Sequence, residues 1–212
     1  HTGGAAKRLR SVAEQYPLKG FTHYLKPDDD GHWLDRSEGL EFFKVAARLN
    51  LIASLSSYPH QQAAIRNVAE RFPELPILIH HLGHPKVGDK HHLTAILESA
   101  TFSNIYLKLS GFYYATRVEQ WDFPWDFPYR DVQEIIMALY DGFGSRRLCW
   151  GSDYPVVKQF MTYRQALESF RNYCTFIPTE EHSFILGGNL ARLLAPSPVN
   201  KPHHATGPLN EV

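Results

Sequence analysis

The chain has 212 residues, 43% of them hydrophobic, and 22 Lys and Arg balance 22 Asp and Glu. That is enough apolar material for one buried core, and one domain is the default at this length. A formal charge of zero with scattered cations argues against nucleic-acid binding and against an acidic membrane surface. No apolar run reaches the roughly 18 residues that a membrane span requires.

In chain order, helix-like and strand-like segments alternate. Residues 5–15 read as a helix and residues 18–25 as a strand. A polar loop rich in Asp and Gly covers residues 26–35. A second helix over residues 37–49 carries Leu40, Phe43, Ala46, Ala47 and Leu49 on one stripe, with Ser37 as its expected cap. Strand patterns recur at residues 51–56, 75–82, 105–110 and 147–153, and helices are expected over 60–72, 89–100, 129–143, 162–174 and 179–194. The domain is expected to span residues 1–195. Residues 196–212, rich in Pro, His and Asn, are expected to be a disordered tail. Cys149 and Cys174 are too few for a disulfide framework and read as buried thiols of a reducing, cytoplasmic compartment. The chain starts at His1 rather than Met, so its beginning carries no information on targeting.

Five strands separated by helices imply a parallel α/β sheet with right-handed crossovers. Such sheets place their chemistry at the carboxyl edge of the strands. Those edges read His23, Ser56, His81, Ser110 and Asp153, with His60 just beyond the second. In the last strand, alternation sets Cys149, Gly151 and Asp153 on one face and Leu148, Trp150 and Ser152 on the other. An Asp at a strand end is also a common turn former, so this position alone leaves both roles open. Lys108 and Ser110 share a face opposite Ile105, Leu107 and Leu109. A buried lysine needs a partner, either in a structural ion pair or in a substrate. No glycine-rich phosphate loop follows the first strand, which disfavours a dinucleotide fold.

Several stretches together resemble one family. They are residues 18–23, the run Ile77-Leu78-Ile79-His80-His81-Leu82-Gly83-His84-Pro85, Leu107-Lys108-Leu109-Ser110-Gly111, residues 147–155 and Gly187-Gly188-Asn189 in the last helix. In order and spacing they are similar to the amidohydrolase-related (amidohydrolase-2) branch of the amidohydrolase superfamily, whose members are eight-stranded (β/α) barrels. The resemblance implies that Asp153 is a metal ligand, a general base or both. It implies that His81 polarises the substrate carbonyl or handles the proton. His80 stands where relatives carry Asp and, by alternation with His81, is expected to pack between sheet and helix. Counted back from Asp153, the strands here correspond to strands four to eight of the barrel. The expected architecture is therefore a partial TIM-like (β/α) barrel with an unpaired sheet edge and an open core, lacking about 100 residues of three βα units.

The chain has no His-x-His pair, which relatives carry on the first barrel strand. The resemblance implies a divalent metal such as zinc at Asp153 and His81, as an incomplete site, or else metal-independent hydrolysis, since a catalytic zinc takes three protein ligands. The decarboxylase branch carries a metal-binding histidine directly ending the fifth strand, whereas here His60 comes four residues after Ser56. The lactonase-like branch lacks that ligand and fits better. Thr22 replaces the Arg usual in lactonase relatives and precedes a histidine like theirs, His23, which argues against assuming a dicarboxylate substrate.

The long segment 112–130 after the fourth strand reads as a lid or binding loop, with Trp121-Asp122-Phe123-Pro124 repeated at residues 125–128. Its aromatics suit an apolar or sugar-like ring, and Arg117 or Arg130 could hold a carboxylate. The expected site is thus Asp153 and His81 for catalysis, with His23, Lys108, Ser110, Tyr113, Trp121 and Arg117 binding a small-molecule substrate. The remaining histidines (His32, His84, His91, His92 and His182) are expected to face solvent by default, although His84, three residues after His81 in a loop, could reach the site. The expected reaction is water attack on a lactone or a similar small cyclic ester. The alternatives are a metal-dependent decarboxylase of the same family and a non-catalytic fragment that binds a partner supplying the missing strands. Oligomeric state is not legible.

Overall fold

In the computed structural model, residues 4–116 and 127–195 are described; Arg117, Trp121 and the expected tail at 196–212 lie outside them. Five strands form one sheet: β1 (Gly20–Tyr24), β2 (Ile52–Ser56), β3 (Ile77–Ile79), β4 (Ile105–Leu109) and β5 (Leu148–Trp150). Every neighbouring pair is parallel and the spatial order follows the sequence. Parallel neighbours need a crossover between them. Here the crossovers are α2 (Ser37–Arg48), α3 (Gln62–Arg71), α4 (Lys90–Leu97) and α5 (Gln133–Phe143). A helix, α1 (Ala5–Gln15), precedes the sheet, and α6 (Tyr163–Arg171), α7 (Thr179–Ser183) and α8 (Asn189–Leu194) follow it. Among the described residues, β1 pairs only with β2 and β5 only with β4, so the sheet is open: a partial (β/α) barrel.

The period-two alternation of the strands separates two environments. Leu55, Ile77, Ile79, Ile105, Leu107 and Leu109 are fully buried in the main core beneath the helices. Each such side chain contributes roughly 1.5–3 kcal/mol by leaving water. The opposite face carries Ile52, Leu78 and Cys149 as a small second cluster, against which Leu193 of α8 and Tyr106 pack. This second face is the one that a closed barrel would turn inward. No helix among the described residues is long and apolar enough to cross a membrane.

Two boundaries differ from expectation. Ser37 begins α2 instead of capping it, and Arg36 holds the cap position without a side-chain bond. The last helix is broken by a five-residue π segment, Phe184–Gly188, in which Gly187 has non-helical dihedrals. Past this break, Asn189 is turned toward the start of β5. Its Nδ2 donates to the carbonyls of Ser145 and Leu148, each at 2.7 Å, in a buried setting. The Gly-Gly-Asn motif therefore ties the last helix to the last strand. Asn189→Ala leaves both carbonyls without their donor, at about 1–3 kcal/mol for each buried group. The urea midpoint of this variant should fall by an amount equivalent to roughly 2 kcal/mol or more, with no change in slope.

Candidate active site

The strand ends do not simply stop; they turn through left-handed backbone. After β3, His81 (φ 50°), Leu82 (φ 58°) and His84 (φ 55°) are all left-handed, and so is Asp153 (φ 56°) after β5. Non-glycine residues adopt this region at some cost, and clusters of such strain concentrate at functional positions. The consequence is geometric. His81 and Asp153 come from strands on either side of β4, yet His81 Nε2 lies 3.7 Å from Asp153 Oδ1. Their side chains keep only 11% and 16% of their surface exposed.

The end of β4 supplies the floor between them. Ser110 Oγ is 3.0 Å from His81 Nδ1. The next residue, Gly111 (φ 62°), lets the backbone pass so close that an added Cβ would sit 2.8 Å from His81 Nδ1 and 2.6 Å from the Tyr114 ring. The Tyr113 hydroxyl donates to Asp153 Oδ2. Tyr113 is itself fixed by face-to-face stacking on Phe160, 4.0 Å between centroids and 14° from parallel. Burial, together with donation to the carboxylate, pushes the Tyr113 hydroxyl well above the ordinary phenol range, so it stays a donor. Tyr114, pushed up to about 12 mainly by burial, is edge-on to His81 at 5.1 Å.

Around this centre lie groups that the sequence reading placed elsewhere. His84, solvent-facing by default but three residues from His81 and within reach of the site, takes the second course: it packs between Tyr58 and Tyr114 and edge-on to His81 at 5.2 Å, with its Nδ1 3.1 Å from the Ser57 carbonyl. His80 was expected between sheet and helix. Instead it lies on the open face, 2.6 Å from Ser54 Oγ and 3.0 Å from Lys108 Nζ through its Nε2. The reason is that β3 ends at Ile79. His80 follows the parity of Leu78, and the left-handed turn at His81 swings that next side chain back toward the same opening. Lys108 has these neutral partners and no carboxylate within ion-pair distance among the described residues, which does not match the structural ion pair.

Of the expected site residues, Asp153, His81, Ser110 and Tyr113 are brought together, and Lys108 lies on the adjoining face. His23 is not brought to this group. It follows Phe21 onto the helix-covered side, where its ring lies 5.3 Å from that of Trp33. His60 is exposed and reaches the Asp29 carbonyl at 3.1 Å, away from Asp153. Sequence alone gave little signal for Tyr58, Tyr114 or Ser54, since each becomes relevant only when its strand is seen in register with the next.

Burial dominates the electrostatics. It holds the His80 imidazole down at about 3, helped by Lys108, and His84 at about 4; His81 is also lowered by burial, partly offset by Asp153. These rings therefore fold as neutral groups, whereas in the unfolded chain they take up protons below their ordinary 6.5. Between that value and about 4 the unfolded state binds more protons, so stability falls as pH falls. Urea midpoints should decline from pH 7.5 to pH 4.5, and His84→Gln should flatten that decline.

Comparison with known proteins agrees with this geometry. The family model described as Amidohydrolase matches residues 2–195. An L-fucono-1,5-lactonase from Burkholderia ambifaria is 26% identical over 192 residues, covering 85% of this chain and 62% of its own length. The chain thus spans under two thirds of that relative. The crystal structure of an amidohydrolase from Burkholderia multivorans with bound zinc superposes with a TM-score of 0.78 at 22% identity, covering 90% of this chain and 70% of that one. A probable 2-pyrone-4,6-dicarboxylic acid hydrolase from Acinetobacter baumannii, solved with citric acid bound, gives 0.68 at 19% identity, covering 89% and 68%. The match over residues 2–195, which is nearly the whole described chain, shows that the chain belongs to the amidohydrolase family.

Proposed function

We propose that this chain carries the carbonyl-hydrolysing half of a lactonase site, in which Asp153 is the general base and His81 polarises the carbonyl. The observation that carries this reading is the 3.7 Å approach of His81 Nε2 to Asp153 Oδ1, with the far atom of each side chain already engaged. The Tyr113 hydroxyl occupies Oδ2, and Ser110 engages His81 Nδ1. A carboxylate beside Nε2 favours the tautomer with its proton there, so Ser110 donates to Nδ1 and Nε2–H is aimed into the gap. A water in that gap gives its proton to Oδ1 while its oxygen attacks the carbonyl carbon, and Nε2–H stabilises the developing oxyanion. When the ring C–O bond breaks, Asp153 returns the proton to the leaving alkoxide. The product is an open-chain hydroxy acid. The similarity to a lactonase supports the substrate class, and the absence of a histidine directly ending β2 weighs against decarboxylation.

A zinc ion, present in one structural relative, would supply Lewis-acid polarisation of the carbonyl and a more acidic water. His81 and Asp153 are suitable donors, but no group of three His, Cys, Asp or Glu side chains able to hold a metal occurs among the described residues. Two donors do not fit a catalytic zinc, which takes three protein ligands.

Asp153→Asn keeps the shape but removes the base. On a panel of neutral sugar lactones, its kcat/KM should fall by about 10²–10⁴-fold, with the thermal midpoint preserved. Lactone turnover by the variant within threefold of the parent, about 0.65 kcal/mol in barrier height, contradicts the assignment. Running the same panel with and without a chelator reports metal dependence independently.

A further inference from the structure

Ser54 of β2, His80 after β3 and Lys108 of β4 form a cluster on the open face of the sheet, and its composition is unusual for a purely structural role. Lys108 Nζ is 3.0 Å from His80 Nε2 and 3.4 Å from Ser54 Oγ. An ammonium is a donor with no acceptor, so an ammonium at this distance requires Nε2 as the acceptor and a neutral imidazole. Ser54 Oγ, 2.6 Å from the same nitrogen, shares that acceptor. An ammonium has three N–H donors. Here they meet one imidazole lone pair and one long contact to a hydroxyl, with no carboxylate in ion-pair range among the described residues. Removing a cation from water beside neutral groups is costly unless a counter-charge arrives. The open face gives that counter-charge a route in. His80 adjoins His81 in the chain, so the cluster borders the reacting pair.

We propose that Lys108, positioned by His80 and Ser54, is a carboxylate-binding subsite. It holds either the acid group that ring opening creates or one that the substrate already carries. This rests on the lactone-hydrolysis reading for its choice of carboxylate over another anion. Ring opening converts a neutral ester into a carboxylate on this face, and Lys108 is a cation there whose acidic neighbour, Asp153, acts on it only from beyond ion-pair distance among the described residues. A single lysine binds as a point charge without the planar fork of an arginine, so it accepts a monocarboxylate without demanding one fixed orientation.

The test uses binding without turnover, so it stands even where hydrolysis fails, and Asp153→Asn tests hydrolysis separately. The chain is titrated by calorimetry with a six-carbon aldonate, the opened form of a neutral lactone, and with an aldaric acid monolactone, which keeps a free carboxylate. Lys108→Met should weaken the aldonate by roughly tenfold or more, the loss of one charge-assisted hydrogen bond, while Lys108→Arg retains most of the affinity. A matching loss for the aldonate alone assigns the subsite to the product acid; a loss for the acidic lactone alone assigns it to the substrate's own acid group. A second measurement needs no variant: aldonate addition to the parent chain should shift the Lys108 side-chain NMR resonances. The proposal is overturned if the parent binds neither anion, if Lys108→Met folds and binds both unchanged, or if those resonances stay fixed while aldonate binds.

Discussion

The approach of one imidazole to one carboxylate across the end of a strand is the constraint on which the rest of this site depends. His81 and Asp153 follow the ends of β3 and β5, and β4 lies between them. Extended backbone carried past these strand ends would keep the two side chains on their separate tracks. Left-handed turns at both residues fold them over Ser110 instead. That conformation is not free for residues with a Cβ, and it is held by what surrounds it: the Tyr113 hydroxyl on the carboxylate, the stack of Tyr113 on Phe160, and the close passage of Gly111. The rigid, fully buried face of the sheet supplies the platform for this strain.

The same sheet carries two kinds of surface. Its helix-covered face is closed by aliphatic packing, and its other face mixes a small apolar cluster with Ser54, His80 and Lys108. Leu193 of α8 and the Asn189 clamp cover the amino end of that second face, and the polar residues lie toward the carboxyl end. Chemistry-bearing groups therefore collect at one end while stability is built at the other, the division of labour expected of (β/α) sheets.

Much of this was legible in the sequence, and the exceptions have physical causes. Apolar runs at Ile52, Ile77, Ile105 and Leu148, each followed by a helical stripe, are enough to give the strand order and its parallel sense. The pairing of His81 with Asp153 was readable from family resemblance and from the position of both at strand ends. The face of His80 was not, because it was inferred by alternation from His81, and the left-handed turn at His81 just past the end of β3 breaks that alternation. His23 differs for the opposite reason: it lies within β1, where alternation holds, and its parity with Phe21 sends it to the helix-covered side beside Trp33. For His84 the sequence leaves both solvent and the site open, because the side chains that settle it, Tyr58 and Tyr114, come from two other strand ends and converge only in three dimensions. Arg117 and Trp121 lie outside the described residues, so the expectation that they meet the substrate stands apart from this geometry.

The most direct test of the account is whether His81 and Asp153 act as one unit. A double-mutant cycle of His81→Gln and Asp153→Asn, read as kcat/KM on a lactone that the parent hydrolyses, measures that coupling. If the pair shares one proton-transfer and polarisation step, the double variant loses little more than the worse single variant. Losses that multiply, as they do for independent residues, would contradict it.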